Sequence, residues 1–220
     1  MKHEVERQRV VDLCTNLSRR GFLAGTGGNV AVRIGDAHIA VTPSAMDYHA
    51  MGASDVSVLR LSDLHQVEGD RTPSVESSLH ARVLQARRDC DCSIHTHQPV
   101  ASACALLGDE ITVSDPALWS VIGRRVPVVG YAPSGTRWLA SRLAGTLRPD
   151  INAYLMLNHG VLCCGATVDA AVQTVGALEA LATSHLRALV TAHAMAHPAR
   201  RDALQRVLAA LADTASSDFN

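Results

Sequence analysis

Hydrophobic residues follow a helical spacing at the start of the chain and a strand spacing soon after. In residues 4–20 the apolar positions recur every three or four residues and stop at Gly21, which predicts an amphipathic helix ended by a glycine. Residues 29–34 and 38–43 are two short β-rich runs joined by Gly35 and Asp36, a strong hairpin signal. We therefore expect a helix followed by a β-hairpin.

The rest of the chain mixes strands and helices without a regular repeat. Strands are predicted in residues 57–70, 90–97, 110–115, 125–132 and 152–165, the last interrupted at His159 and Gly160. Helices are predicted in residues 74–89, 99–108, 136–147 and, as one helix or two with an interruption near Pro198, 168–211. Irregular alternation with hairpins favours a three-layer α/β or α+β fold over a doubly wound one, and we expect the α/β class. We expect one domain spanning residues 1–220, with residues 212–220 as a frayed tail.

Composition indicates a folded protein that binds a small molecule. Hydrophobic residues make up 47% of the chain and charged residues 19%, while aromatic residues make up 3%, so Ala, Val, Leu and Ile must fill the core. The net charge is −1 and no basic run occurs, which argues against nucleic acid or an anionic membrane as a partner. No signal-like or membrane-spanning apolar segment is present, and we expect a cytoplasmic protein.

Several classes of chemistry are disfavoured by the residues available. Lys2 is the only lysine, so carbon–carbon bond chemistry should depend on a metal rather than on a Schiff base. The six cysteines lack paired C-x-x-C spacing and are expected to be reduced core residues. No G-x-S-x-G elbow of a serine hydrolase occurs, and Val30 stands where a dinucleotide-binding G-x-G-x-x-G would need glycine. The glycine-rich segment 25–29 is either an anion-binding turn or an ordinary tight turn.

The segment CDCSIHTH, residues 90–97, is the first candidate for a metal site. On a strand, His95 and His97 point to one face, while Cys90 and Cys92 are expected on the opposite, buried face. Alternate strand positions let two imidazoles converge on one ion. The alternative is a polar, solvated strand end.

A third imidazole and a carboxylate complete the candidate set. His159 follows an apolar strand and precedes a glycine, and Glu76 stands at the start of a predicted helix, where the helix dipole favours a carboxylate. Three imidazoles and a carboxylate suit zinc or a similar divalent ion, and a carboxylate that can leave the metal can act as a base. The alternative for Glu76 is simple stabilisation of the helix terminus.

Five segments, in order, resemble the class II aldolase/adducin family. They are GTGGNVAVR, VTPSAMDY, EGDRTPSVESSLH, SIHTHQPVASA and LNHGVLCCGATVDAAV, within a match that covers residues 10–186. The resemblance implies a single three-layer domain with a central, mostly antiparallel sheet flanked by helices. It also implies a homotetramer.

The resemblance further implies site residues and a reaction. His95, His97 and His159 would bind zinc, with manganese or cobalt as alternatives, and Glu76 would be the acid/base. The substrate phosphate would be held by residues at six positions: Gly28, Asn29, Ser44, Ala45, Ser74 and Val75. The implied activity is retro-aldol cleavage of a ketose 1-phosphate, such as a deoxy-pentulose phosphate, to dihydroxyacetone phosphate and an aldehyde through a zinc-stabilised enediolate. Glutamate rather than aspartate at position 76 favours the aldolase branch over the epimerase branch.

Departures from the family pattern leave alternatives open. Ala45 replaces a glycine, Val75 a serine and Ala31 a serine, and these changes should weaken a phosphate pocket. The stretch TVSDPALW lacks the tyrosine that serves as acid in aldolases of this family, and Tyr131 and Tyr154 are candidate substitutes. The alternative activities are a decarboxylase or dehydratase of the same family acting on a sugar acid, or a non-catalytic adducin-like binding module.

Overall fold

The computed structural model of the chain describes residues 2–217, with side chains described through residue 211. The strands are β1 Asn29–Ile34, β2 His38–Val41, β3 Ser57–Arg60, β4 Gln66–Glu68, β5 Cys92–Thr96, β6 Ile111–Thr112, β7 Arg125–Val126, β8 Val128–Val129, β9 Ala153–Met156 and β10 Gly160–Gly165. The α-helices are α1 Glu4–Arg19, α2 Ser77–Ala86, α3 Pro99–Leu107, α4 Arg137–Thr146, α5 Val168–Ala196 and α6 Arg201–Ser217. Short 3₁₀ turns lie at residues 53–55, 116–118 and 198–200.

Eight strands form one central sheet in the order β4-β3-β2-β1-β5-β10-β9-β8. Every neighbouring pair is antiparallel except β8 and β9, which run parallel. Helices cover both faces of the sheet, and this confirms the predicted three-layer α/β fold with a mostly antiparallel sheet.

Two separate hydrophobic cores hold the layers together. On one face, α1, α3 and α5 pack on residues such as Val32, Ile94 and Val161. On the other face, α2 and α4 pack on residues such as Ile39 and Leu162. Because strand side chains alternate between faces, β1 and β10 contribute apolar side chains to both cores. Strand β5 contributes Cys92 and Ile94 to the α1/α3/α5 core and turns the buried polar residues Ser93 and His95 to the other face.

The predicted helix and hairpin at the start of the chain are confirmed. Helix α1 ends at Arg19, and β1 pairs with β2 from Ile34 opposite His38. Gly35 begins the connecting turn with a φ of 53°, a conformation that glycine adopts without a steric penalty.

The single strand predicted for residues 125–132 is divided at Pro127. Strand β7 joins β6 in a separate two-stranded sheet, whereas β8 joins the edge of the main sheet beside β9. Proline has no N–H to donate to a ladder, and here it contributes only its carbonyl oxygen, which accepts from the N–H of Leu155 at 3.0 Å.

Two helical regions have bounds that the sequence pattern did not fix: the start of α2 and the division of the C-terminal region into α5 and α6. Helix α2 begins at Ser77 rather than Ser74, because residues 72–75 bond to the loop after β2 instead. The long C-terminal helical region is two helices, α5 and α6, separated at Pro198 as the pattern allowed. Of the tail expected at residues 212–220, the backbone through Ser217 belongs to α6, and residues 218–220 lie outside the described residues.

No helix in the described part of the chain is long and apolar enough to cross a membrane.

Candidate metal centre

Strand β5 carries the first histidine into the centre of the sheet. His95 is fully buried between β1 and β10, opposite Asn29 on one side and Leu162 on the other. Its Nδ1 lies 2.7 Å from the carbonyl oxygen of Val161, which accepts the ring proton and leaves Nε2 with a lone pair. Cys92 faces the α1/α3/α5 core, as expected for the back of the strand. The expectation for Cys90 was wrong: it precedes β5 and packs in the α2/α4 core.

The other two histidines come from the two loops that meet the end of β5. His97 lies just after the strand, and its Nε2 is 2.9 Å from Nε2 of His95. His159 lies in the turn between β9 and β10, with its ring centroid 4.7 Å from that of His95 and 5.4 Å from that of His97. A Cβ on Gly160 would lie 2.6 Å from the His97 ring and from the Thr96 carbonyl oxygen. Glycine after His159 therefore leaves room for the imidazole cluster.

Glu76 meets this cluster from the opposite side. It is 4% exposed and occupies the N-cap position of α2, where its side chain makes no capping hydrogen bond. Its carboxylate oxygens lie 3.3 Å from Nε2 of His95 and 3.2 Å from Nε2 of His159. The same oxygens accept hydrogen bonds from Nδ2 of Asn29 and Oγ of Ser134, both at 2.8 Å.

The surroundings keep Glu76 ionised and the His95 ring neutral. Burial acts to raise the pKa of Glu76, but the hydrogen bonds from His159, Asn29 and Ser134 and the neighbouring His95 ring outweigh it, so that the pKa falls well below its usual range. Burial lowers the pKa of His95 to about 3 despite the attraction of Glu76. The pKa of His97 is also lowered, mainly by burial and to a smaller extent by the neighbouring His159 ring.

The cluster fits a divalent metal ion. One nitrogen from each of the three histidines lies within 4.8 Å of the other two. Nδ1 of His159 is buried and has no hydrogen-bond partner among the described residues, so this ring is not fully satisfied by the protein alone. Neutral imidazoles beside one carboxylate are a ligand set typical of zinc and similar ions.

The six positions expected to hold a phosphate lie on three loops that meet beside Glu76. Two Thr-Pro-Ser turns, residues 42–44 and 72–74, form a bridge at their prolines, and each serine N–H donates to the threonine carbonyl of the other turn. Ser74 is buried, and its Oγ accepts from the N–H of Glu76 at 3.2 Å. A Cβ on Gly28 would lie 2.6 Å from the carbonyl oxygen of His95, so only glycine fits that approach.

Two of those six positions depart from what an anion needs. Ala45 has a φ of 51°, a left-handed conformation that is strained for alanine and open to glycine. Val75 is 65% exposed. A Cβ added at Gly135 would lie 3.3 Å from the Val75 side chain, so these two residues are close neighbours. These positions present apolar groups beside the serines, whereas Ser44 and Ser74 retain hydroxyl groups.

Of the two candidate tyrosine acids, the structure excludes Tyr154. Its hydroxyl is buried, donates to the Ile151 carbonyl oxygen at 2.9 Å and accepts from the N–H of Arg148 at 3.0 Å, and burial raises its pKa to about 12. Tyr131 is 50% exposed and follows β8, whose partner strand β9 leads into the His159 turn. It therefore stays a candidate.

Two residues at the site were not found from the sequence. Ser134 reaches Glu76 only because β8 pairs with β9, and no local motif indicates this. His80 lies four residues after Glu76, one helical turn away, and its Nε2 is 2.7 Å from Oδ1 of Asn29. The i, i+4 spacing of Glu76 and His80 was a usable signal.

The fold and the site together define a class of protein: a three-layer α/β domain with a three-histidine cluster and a buried carboxylate at one end of its sheet. The comparisons with known proteins then identify the family. The family model described as Class II Aldolase and Adducin N-terminal domain matches residues 8–186, and the chain belongs to this family.

Similar proteins cover most of the chain. An L-fuculose phosphate aldolase from Haemophilus influenzae is 29% identical over 188 residues, which are 84% of this chain and 83% of that protein. A 5-methylthioribulose-1-phosphate/5-deoxyribulose-1-phosphate aldolase from Rhodospirillum rubrum is 30% identical over 202 residues, 92% of this chain and 89% of that protein. A solved L-fuculose 1-phosphate aldolase superposes with a TM-score of 0.78 at 30% identity, covering 86% of this chain and 88% of its own. These aldolase relatives support an enzyme of the lyase class.

Proposed function

We propose that this protein is a metal-dependent aldolase that cleaves a ketose 1-phosphate to dihydroxyacetone phosphate and an aldehyde. The observation that carries the proposal is a cluster of three histidine rings, two of which contact the ionised Glu76, in a chain of this family. A deoxy-pentulose 1-phosphate is the favoured substrate, because the relative from R. rubrum is named for such sugars.

His95, His97 and His159 would hold the ion, which we propose is zinc, with manganese or cobalt as alternatives. When bound, a divalent ion supplies Lewis-acid polarisation of the substrate's carbonyl and neighbouring hydroxyl oxygens. The buried tautomer of His95, fixed by the Val161 carbonyl oxygen, supports this role because it leaves a ring nitrogen free to bind a metal.

Glu76 would move the proton at the reacting carbon. In the condensation direction, its carboxylate accepts the proton from the carbon next to the carbonyl of dihydroxyacetone phosphate. In the cleavage direction, the same carboxyl group returns a proton to the carbon that has lost its bond to the aldehyde. The hydrogen bonds from Asn29 and Ser134 hold the carboxylate in one orientation for this transfer.

Phosphate binding is proposed for the loops that meet beside Glu76. The residues are Gly28, Asn29, Ser44, Ala45, Ser74 and Val75. Ser44 and Ser74 supply hydroxyl donors, and the N-terminal end of α2 favours an anion. Ala45 and Val75 reduce the number of donors, so we expect a higher KM for phosphate-bearing substrates than in a site with glycine and serine there.

The test is production of dihydroxyacetone phosphate, measured by coupling to glycerol-phosphate dehydrogenase. Purified protein loaded with zinc is offered 5-deoxyribulose 1-phosphate, 5-methylthioribulose 1-phosphate and fuculose 1-phosphate. We expect turnover with at least one, loss of turnover after chelation and in His95→Ala, and normal turnover in the control His65→Ala, which removes an exposed histidine far along the sheet.

No turnover of any ketose 1-phosphate by metal-loaded protein would contradict the aldolase proposal. Release of carbon dioxide or water from a sugar acid would then identify the decarboxylase or dehydratase alternative. If His95→Ala binds metal as well as the unaltered protein does, both enzyme proposals fail and the adducin-like binding role gains support.

We also propose that residues 1–220 act as one domain, in a cytoplasmic homotetramer. One cooperative unfolding transition and a solution mass of four 23.3 kDa chains are expected. Light scattering that gives the mass of a single chain would contradict the tetramer.

A further inference from the structure

A chain of buried hydrogen bonds extends away from the site behind Asn29. Oγ of Ser93 lies 2.8 Å from Nδ1 of His80, and Nε2 of His80 lies 2.7 Å from Oδ1 of Asn29. Nδ2 of Asn29 then lies 2.8 Å from Oε2 of Glu76. All four side chains are buried, and those of Ser93 and His80 are completely inaccessible to solvent.

The direction of every bond in this chain is fixed by Glu76. An ionised carboxylate only accepts hydrogen bonds, so Asn29 must turn its NH₂ group toward Glu76 and its carbonyl oxygen toward His80. That oxygen needs a donor, which places the His80 proton on Nε2. Nδ1 of His80 then accepts from the hydroxyl group of Ser93.

Without His80, the carbonyl oxygen of Asn29 loses its hydrogen-bond donor, and only Glu76 still holds the amide in place. The opposite orientation would set an amide oxygen against a carboxylate oxygen at 2.8 Å, where both are acceptors. A buried amide oxygen without a donor is also costly. A rotated or mobile Asn29 would release one of the groups that orient Glu76, and Asn29 is itself a proposed substrate contact.

We propose that His80, held by Ser93, is a positioning residue that orients Glu76 through the side-chain amide of Asn29. The inference rests on the proposed function, because it assigns His80 to the same proton-transfer step. His80 touches neither the substrate nor the metal in this role, and no proton has to travel along the chain. Outer hydrogen-bond partners of this kind commonly change activity by about 10- to 100-fold.

A double-mutant cycle between His80→Phe and Asn29→Ala separates positioning from general packing. We expect His80→Phe to lower kcat by about 10- to 100-fold with less than about a threefold change in KM. In the Asn29→Ala background, the same substitution should lower kcat by less than about twofold, because the residue through which it acts is gone. Equal losses in both backgrounds, or no loss in the unaltered background, would overturn the proposal.

Ser93→Ala is the milder second variant, since it removes one hydroxyl group without adding volume. It should lower kcat in the same direction and again only when Asn29 is present. Thr174→Val is its matched control: Thr174 is a buried hydroxyl bonded to the Ala170 and Val121 carbonyl oxygens, away from the histidine cluster. A loss of kcat in Thr174→Val as large as that in Ser93→Ala would contradict a specific role for the chain.

A spectroscopic measurement tests the chain independently of catalysis. Among the eleven histidine rings, nitrogen NMR of histidine-labelled protein should show a neutral ring with its proton on Nε2 whose signals are missing in His80→Phe and shifted at Nδ1 in Ser93→Ala. A proton on Nδ1 of His80 would overturn the proposal even if the enzyme is active. If the unaltered protein cleaves no ketose 1-phosphate but the expected tautomer is found, the proposed function fails while the hydrogen-bond chain stands.

Discussion

Replacing Glu76 with glutamine removes the charge of the proposed base and keeps its shape. The structure allows the amide to be accommodated. Its oxygen can take the hydrogen bond from Asn29, and its NH₂ group then faces Ser134, whose hydroxyl group turns to accept, and Nε2 of His159, which accepts when the ring proton lies on Nδ1. We therefore expect a loss of about 1 kcal/mol in the free energy of unfolding, the typical difference for one exchanged hydrogen bond. For a chain of this size that lowers Tm by about 2–4 °C.

The effect on catalysis should be much larger than the effect on folding. Loss of a general base commonly costs about 10²- to 10⁴-fold in rate, or about 3–5 kcal/mol in activation free energy. The assay is kcat for dihydroxyacetone phosphate formation, together with metal content measured on the same sample. Glu110→Gln is the matched control, because Glu110 is a half-exposed carboxylate paired with Arg125.

We expect Glu76→Gln to bind as much metal as the unaltered protein and to lose turnover, while Glu110→Gln retains both. Unchanged kcat would refute the role of Glu76 as base. Loss of metal in parallel with kcat would show that Glu76 is needed to hold the ion, and the kinetic defect would then not report proton transfer.

Three further predictions concern the glycine beside the cluster, the strained turn and the pH range of stability. Gly160→Ala should bind metal more weakly, because its Cβ would lie 2.6 Å from the His97 ring. Gly145→Ala in α4 is the control, since a Cβ there would meet no atom within 4 Å, and it should bind metal normally. Equal metal affinities of the two variants in a titration would contradict this prediction. Ala45→Gly should relieve about 1 kcal/mol of left-handed strain and raise Tm by about 2–4 °C, while Ala50→Gly, at an ordinary φ, should lower Tm; a fall in both would refute the strain argument. Burial lowers the pKa of His80 from 6.5 to about 4, so the unfolded chain binds more protons between these values and stability falls as the pH drops through that window. Urea unfolding at pH 7 and pH 5 measures this effect as a change in the free energy of unfolding. The free energy should fall less between pH 7 and pH 5 in His80→Phe than in the unaltered protein, and an equal fall would contradict the prediction.

Local sequence signals predicted the elements that depend on neighbouring residues. The Gly35-Asp36 hairpin, the helix after Pro99 and the break at Pro198 all depend on backbone preferences that a short window reveals. The alternation of side chains along β5 also correctly separated His95 from Cys92.

Features that depend on pairing between strands far apart in the sequence could not be predicted from local patterns. Ser134 contacts Glu76 because the short strand β8 lies parallel to β9, and Pro127 directs β7 and β8 into different sheets. Cys90 was assigned to the wrong face because β5 starts two residues later, so the period of two did not extend to it. The contact between Ser93 and His80 forms only when α2 covers β5, which no pattern within either segment specifies.

We propose that the metal-loaded histidine cluster and Glu76 together move a proton at the carbon next to a carbonyl. Exchange of that proton in dihydroxyacetone phosphate with deuterium from solvent, followed by NMR, measures this step without any aldehyde partner. We predict incorporation of one deuterium per molecule by zinc-loaded protein, with no incorporation after chelation or in Glu76→Gln. Absence of exchange in the zinc-loaded protein, or equal exchange in Glu76→Gln, would contradict proton transfer by Glu76 at the metal centre.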